Sequence, residues 1–551
     1  MNSPRNQPAG RPGLQHLAGT AGLLARRNRA ATAAVALALV VVLVILLSGG
    51  GSGESAPPSD AAKLVPADAL VLLDVSTKPS RPAVKRANSL IARFPSLPAL
   101  RDTLLSRLSA VGPGVSYKRD VEPWLGDEAA LALLNSSTAT AGSEIVLSVK
   151  DRTKAEAFLT RTAGPSGQIT YRGIQIASYG VVSTAFVGRF LVVGQEASLR
   201  TAIDLSKQPQ RALARSDAYR QATAGAPADR VAALYASAAG VTRLLATQGG
   251  ALGAGGALLN QPGLRAANIA LTPRDNGIAL RVHSVIDRKL APAVSQTKPF
   301  EPKLGDAVPS GAMAYLDLKG LDRAAGRLLS AGLAGGGTGQ QISSLLARAK
   351  RDLAAKAGVD LKRDVLPLFR GEVAIWLKPA VPAPILTIIS ATSDETATRA
   401  AFAKLQAPVA KLLTPAVNSA GQQPVFEERD LGGTKVFALR LGPGIEIDYA
   451  VFDGKLVIST SQDGIRAVKD RKDSITGTAA YKTTLGDRPG KITSLVLLDF
   501  SQLLRLGERT GLSTSRSYQR LRSDLKRIKA VGAAASGGEN DSTTELFLQI
   551  S

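Results

Sequence analysis

The sequence predicts an α+β fold with mainly antiparallel sheets, held outside a membrane by a single N-terminal transmembrane helix. Three observations predict it: an uncharged eighteen-residue apolar run, alternating apolar strands bounded by turn residues, and an ordered internal repeat. Composition agrees. The 551 residues are 45% hydrophobic and 20% charged, enough for packed domains and incompatible with wholesale disorder. Cysteine is absent, which excludes disulfides, thiolate metal sites and cysteine nucleophiles. The two histidines, His16 and His283, leave little material for general-base or zinc chemistry.

In chain order, residues 1–29 form a basic tail with Arg5, Arg11, Arg26, Arg27 and Arg29 and no acidic residue. Residues 30–47, AATAAVALALVVVLVILL, follow without a charge. As a helix this run reaches about 27 Å, close to the thickness of a hydrocarbon core. The positive flank places the tail in the cytoplasm and everything after Leu47 outside. The run is longer than a signal-peptide core, so it is expected to stay as an anchor in the cytoplasmic membrane rather than be cleaved. Residues 48–60 are rich in Gly, Ser and Pro and read as a flexible tether.

The remainder repeats itself. Val65-Pro66-Ala67-Asp68-Ala69-Leu70-Val71-Leu72-Leu73-Asp74-Val75 recurs 243 positions on as Val308 to Leu318. Lys118-Arg119-Asp120-Val121 with Pro123 recurs as Lys362-Arg363-Asp364-Val365 with Pro367. Gly126 before EAALAL matches Gly371 before EVAIWL, and Phe158 matches Phe402. STAFVGRFLVVG around Gly188 matches DYAVFDGKLVIS around Gly454, where the offset has grown to 266. Five matches in one order point to a duplicated ectodomain with copies at 61–290 and 303–551, and an insertion near 417–433.

Within the first copy, strands are expected at 69–75, 128–134, 144–150, 174–179, 183–188 and 190–194. Residues 269–282 read as a hairpin turning at Asp275-Asn276-Gly277. Leu100, Leu104, Leu105 and Leu108 mark a helix face after Pro98, and Asp151 caps the next helix. Asp74, Asp317 and Asp499 each close an apolar strand and suit cap or turn positions. LVLLDVS (70–76), AALYASA (232–238) and LVLLDFS (495–501) suggest a smaller β-α-β-β unit used twice per copy.

Three segments, LVPADALVLLDVSTKPSRPAVKRA (64–87), ARFPSLPALRDTLL (92–105) and KRDVEPWLGDEAALAL (118–133), resemble the bacterial domain of unknown function 3352 family. The second copy departs from the pattern, with Leu368-Phe369-Arg370-Gly371 in place of Trp124-Leu125-Gly126. The resemblance implies a membrane-anchored envelope protein of high-GC bacteria. It supplies no activity, cofactor or catalytic residue to carry over.

No catalytic constellation emerges. His283 lies in an alternating strand, no G-x-S-x-G elbow is present, and adjacent Ser284 would point to the opposite face. Glu446 and Asp448, two apart, would share a strand face and could hold a cation or a proton. The glycine runs at 249–256 and 335–339 lack the Lys-Ser/Thr of a phosphate loop and read as surface loops. No cofactor is expected.

Charge is the feature that folding explains least. The chain carries 68 basic against 44 acidic residues, a net +24; residues 1–60 hold five and two of these, leaving 63 against 42, or +21, outside. Arg516, Arg520, Arg522, Lys526, Arg527 and Lys529 cluster with Tyr518, Leu521, Leu525 and Ile528, which recur at spacings of three and four. This reads as a basic amphipathic helix, either packed on a sheet or drawn to anionic lipid or cell-wall polymer. Nucleic acid is disfavoured by location and by 4% aromatics. The expected role is non-enzymatic binding or scaffolding. The alternatives are a carrier or receptor for a hydrophobic or anionic envelope molecule, and a carboxylate-based hydrolase.

Overall fold

The computed structural model describes residues 59–77, 81–95, 117–135, 142–162, 164–180, 182–246, 263–287, 289–290, 298–321, 355, 358–381, 383–413, 425–442, 445–538 and 540–551. The expected span at 30–47, the basic tail, nearly all of the tether, the Leu100–Leu108 helix and both glycine runs lie outside them. Among the described residues no helix is long and apolar enough to cross a membrane.

The first copy contains β1 (Val71–Ser76), α1 (Pro82–Ile91), β2 (Leu125–Leu133), β3 (Ser143–Val149), α2 (Arg152–Thr162) and β4 (Gly167–Tyr171). It continues with β5 (Ile174–Tyr179), β6 (Val182–Val187), β7 (Phe190–Gly194), α3 (Glu196–Lys207), α4 (Asp217–Thr223), β8 (Ala232–Ser237), α5 (Ala238–Ala246), β9 (Leu264–Arg274) and β10 (Gly277–Ile286). The second copy opens with β11 (Ala314–Lys319), β12 (Glu372–Lys378), β13 (Ile385–Ala391), α6 (Glu395–Leu413), β14 (Glu427–Leu431) and β15 (Thr434–Gly442). Then come β16 (Ile445–Phe452), β17 (Lys455–Ser459), α7 (Gln462–Lys469), α8 (Ala479–Leu485) and β18 (Ser494–Asp499). Last are α9 (Phe500–Arg509), α10 (Arg516–Leu525), β19 (Ile528–Gly537) and β20 (Asp541–Ile550).

The described chain forms two compact units, one of residues 59–77 and 117–216, the other of 81–95 and 217–551. In the first, antiparallel strands run in the order β1-β2-β3-β7-β6-β5-β4. The second carries the order β11-β12-β13-β17-β16-β15-β14, the same path one copy later. It also holds the meanders β8-β9-β10 and β18-β19-β20, joined where β10 pairs β20 from Gly277↔Gln549 to Val285↔Asp541. The fold is therefore α+β with antiparallel ladders. The compact units divide at 216/217, inside the first copy, and the β10–β20 ladder ties the last strands of the two copies together.

A half-buried carboxylate recurs with the strand path. Glu128 of β2 accepts the Ala61 amide at 3.0 Å, the Asp60 amide at 3.2 Å and the Ser59 hydroxyl at 2.6 Å. Glu372 of β12 accepts the Lys303 amide at 2.6 Å and the Leu304 amide at 2.5 Å. Each caps the 3-10 turn that opens its copy, Ala61–Lys63 or Leu304–Ala307, satisfying amides that the turn leaves free. Beyond that turn, the Leu213 amide bonds the Val65 carbonyl at 2.7 Å and the Ile475 amide bonds the Val308 carbonyl at 2.8 Å.

Strands β1, β3 and β5 to β7 lie within two residues of the expected bounds, and β2 begins three residues early, at Leu125. The sequence reading misses β4, whose side chains are nearly all exposed, so no apolar alternation marks it. Strand β14 falls in the segment read as an insertion, yet β4 is its counterpart, so no strand has been added there. The 269–282 hairpin forms, with Gly277 already in β10. A Cβ there would collide with the Leu548 carbonyl and the Phe547 ring.

In the second unit one sheet face packs Tyr315, Trp376, Ile389 and Val457 against Ile465 and Val468 of α7 and Tyr481 and Leu485 of α8. The opposite face sets Tyr449 4.3 Å from Phe402 of α6 and 5.0 Å from Phe437. In the first unit Trp124 meets Phe158 at 5.7 Å and donates its indole N–H to the Asp120 carbonyl at 2.8 Å.

Candidate functional site

The basic cluster sits at a helical hairpin, α9 and α10, inserted between β18 and β19. Asp499 caps α9, accepting the Gln502 amide at 3.0 Å. Gly511, at φ 102°, turns the chain in a conformation that side chains rarely adopt. Ser515 then caps α10. A Cβ on Gly507 would lie 2.9 Å from Leu512 Cδ2, so glycine lets the end of α9 approach the connecting turn. Helix α9 packs on β18 and β19, whereas α10 packs mainly on the turn at Leu512–Thr514.

The six expected basic residues fall into three settings. Arg516, Arg520 and Arg522 belong to α10, and Lys526 is its C-cap. The helix ends there, so Arg527 lies in the turn, while Lys529 and Ile528 belong to β19. The periodicity that extends the helix to 529 fails because Ile528 starts a strand paired on both sides. At about 3.6 residues per turn, Arg516 and Arg520 lie opposite the apolar stripe of Tyr518, Leu521 and Leu525, whereas Arg522 and Lys526 flank it.

That stripe is open in part, with Tyr518 buried, Leu525 half-buried and Leu521 exposed. Between α9 and α10 lies a groove of about 620 Å³ lined by Phe500, Leu503, Leu504, Tyr518, Leu521 and Leu525 among others. The volume is typical of ligand pockets. Leu521 is 50% exposed, Leu512 38% and Leu503 37%, a concentration of accessible leucine that a closed hairpin would bury.

At the edge of the groove Glu508 receives three donors from α10 and its cap. The Tyr518 hydroxyl donates at 2.6 Å and Arg522 Nε at 2.8 Å, with Lys526 Nζ at 3.7 Å, all to Oε1. The Tyr518 hydrogen bond, followed by the Arg522 bond, holds the Glu508 carboxyl down at about 2. Chemically this is an anion site already filled by a side chain. Arg516 and Arg520 have no side-chain partner among the described residues and stay exposed.

The other candidates resolve into core chemistry. His283 Nδ1 lies 3.0 Å from the Thr543 hydroxyl, its Nε2 lies 4.0 Å from Asp541, and burial lowers its pKa. Glu446 and Asp448 share a face of β16, but Arg429 Nη1 already donates to Glu446 at 3.1 Å. Burial and the adjacent Glu446 push Asp448 up to about 7. Asp317, expected at a cap or turn, lies within β11 and faces the core, where Tyr315 donates to it at 2.6 Å. Burial raises it to about 8. Among the described residues no group of three or more His, Cys, Asp or Glu could hold a metal ion.

Comparison with known proteins places the chain. The family model described as protein of unknown function, DUF3352, matches residues 30–550. The chain belongs to the DUF3352 family. No curated relative matches it. Among solved structures, crystal form I of TP0453 is similar at 14% identity, covering 42% of this chain and 80% of that one with a TM-score of 0.26. Crystal form III gives 13% identity, 42% and 81% coverage and a TM-score of 0.25. Crystal form IV gives 15%, 41% and 79%, and 0.24.

Proposed function

We propose that this DUF3352 protein is a non-enzymatic binding protein of the bacterial envelope, anchored by residues 30–47 with its folded part outside. Its α9–α10 end docks on anionic surfaces. The observation that carries this reading is the open apolar groove with Arg522 and Lys526 at its flank, on a chain with a net +24. Apolar area and cationic charge together are the two signals that interfacial attachment uses. Asp317 and Asp448 are fully buried, so neither can serve as a carboxylate that a polymer hydrolase would need in an open cleft.

The test uses the full chain held in zwitterionic nanodiscs and mixed with phosphatidylglycerol vesicles. Co-flotation is expected at low salt and should weaken toward physiological salt. Replacing Arg516, Arg520, Arg522 and Lys526 by Gln should lower the bound fraction at least about tenfold, since each cation near such a surface contributes on the order of 1 kcal/mol. Equal binding to zwitterionic vesicles, or no change in the variant, would reject the reading.

A further inference from the structure

We propose that the groove between α9 and α10 takes one acyl chain of an anionic phospholipid, whose phosphate displaces Glu508 from Arg522 and Lys526. This rests on the reading of the hairpin as the surface-docking end and adds the ligand and the exchange.

The lining states the first half of the chemistry. Phe500, Leu503, Leu504, Leu521 and Leu525 present hydrocarbon, and the polar atoms of Tyr518 and Glu508 lie at one edge. A fully apolar ligand would leave that edge unused. A free inorganic anion would leave the groove unfilled. An amphiphile with a chain and a negative head uses both, and charge complementarity selects the anionic kind.

The edge supplies the second half. Glu508 Oε1 already sits where Tyr518 Oη, Arg522 Nε and Lys526 Nζ converge, at 2.6, 2.8 and 3.7 Å. A phosphate oxygen fits the same donors, with Arg522 providing the planar fork suited to it. While Glu508 holds them it also ties α10 to the end of α9 and restricts the width of the groove. Exchange of carboxylate for phosphate would therefore release the tie and satisfy the cations in one event. Arg522 and Lys526 are 50% and 49% exposed and Glu508 22%, so a phosphate can reach the two cations without unfolding.

The chain has no cysteine, so Leu521→Cys gives a single attachment point for a bimane fluorophore on the groove. The labelled full chain is reconstituted in phosphatidylcholine vesicles with rising phosphatidylglycerol, carrying a nitroxide either on the lipid headgroup or along the acyl chain. With phosphatidylglycerol, both quenchers should act; in phosphatidylcholine alone, neither should exceed the signal of a Thr160→Cys control on α2. Glu508→Gln should bring chain quenching to a several-fold lower phosphatidylglycerol fraction, while Asp463→Asn, an equal change in charge on α7, leaves it in place. Headgroup quenching without chain quenching would overturn the acyl-chain site and spare surface docking. Absence of both would reject docking as well. Weaker or unchanged chain quenching in Glu508→Gln would overturn the exchange, and a lowered melting temperature in that variant would then assign Glu508 a structural role alone.

Discussion

Two glutamates show how placement decides what a carboxyl does. Glu508 meets three donors at the surface and stays ionised far into acid. Glu144 of β3 is 1% exposed, neither of its oxygens has a hydrogen-bond partner among the described residues, and burial pushes it from 4.5 to about 8. It is therefore protonated in the folded protein at neutral pH. The native state then holds a proton that the unfolded chain has released between those two values. Stability is full below about 4.5, falls as pH rises, and levels off above about 8. Glu144→Gln removes the ionisation. The variant should match the wild type near pH 4.5 and melt at higher temperature at pH 8, with a difference on the order of a few kcal/mol. Parallel pH profiles for both proteins would show that Glu144 finds a solvated or paired state.

Elements expose the limits of reading by periodicity. Strands β5 and β7 match their expected bounds because apolar runs and flanking turn residues mark both ends. Edge strand β4 carries no such pattern, since its side chains are exposed except for Tyr171, which meets Asp204 and Arg200 of α3. Helix α10 is legible from Tyr518 to Leu525, but its end is not, because Ile528 keeps the helical spacing while it opens β19, pairing with Ile550 of β20. Helix α9 was open to recognition, with Asp499 as cap and Phe500, Leu503, Leu504 and Gly507 at spacings of three and four. That it forms a groove with α10, and that Glu508 meets Arg522 across it, depends on tertiary approach and leaves no local signal. The caps at Glu128 and Glu372 are equally non-local, 67 and 68 positions from the amides of Ala61 and Leu304 that they accept. Glu128→Ala should cost about 1–3 kcal/mol by leaving the amides of Asp60 and Ala61 and the Ser59 hydroxyl without their acceptor. Thermal melting measures it, and a loss below the error of the measurement would mean that water replaces the carboxylate.

At the scale of the whole molecule, the two proposed attachments obey different physics, and this separates them experimentally. Residues 30–47 contain no charge, so their retention in a bilayer follows from apolar transfer and is blind to ionic strength. The α9–α10 end carries its charge in the open, where the screening length shrinks to about 8 Å at physiological salt. Sequential extraction of cell membranes should therefore leave the full chain in the pellet through high-salt and alkaline washes and release it only with detergent. Its intact mass should include Met1. A chain that starts at Ser59, the first described residue, lacks the apolar run and keeps the groove. It should bind phosphatidylglycerol vesicles at low salt and leave them as salt rises to the physiological range. Release of the full chain by salt alone, or a soluble product beginning near Gly51, would remove the anchor. Salt-resistant binding of the shorter chain would mean that hydrocarbon contact through Leu503, Leu512 and Leu521 outweighs the arginines, and that the hairpin inserts more than it adheres.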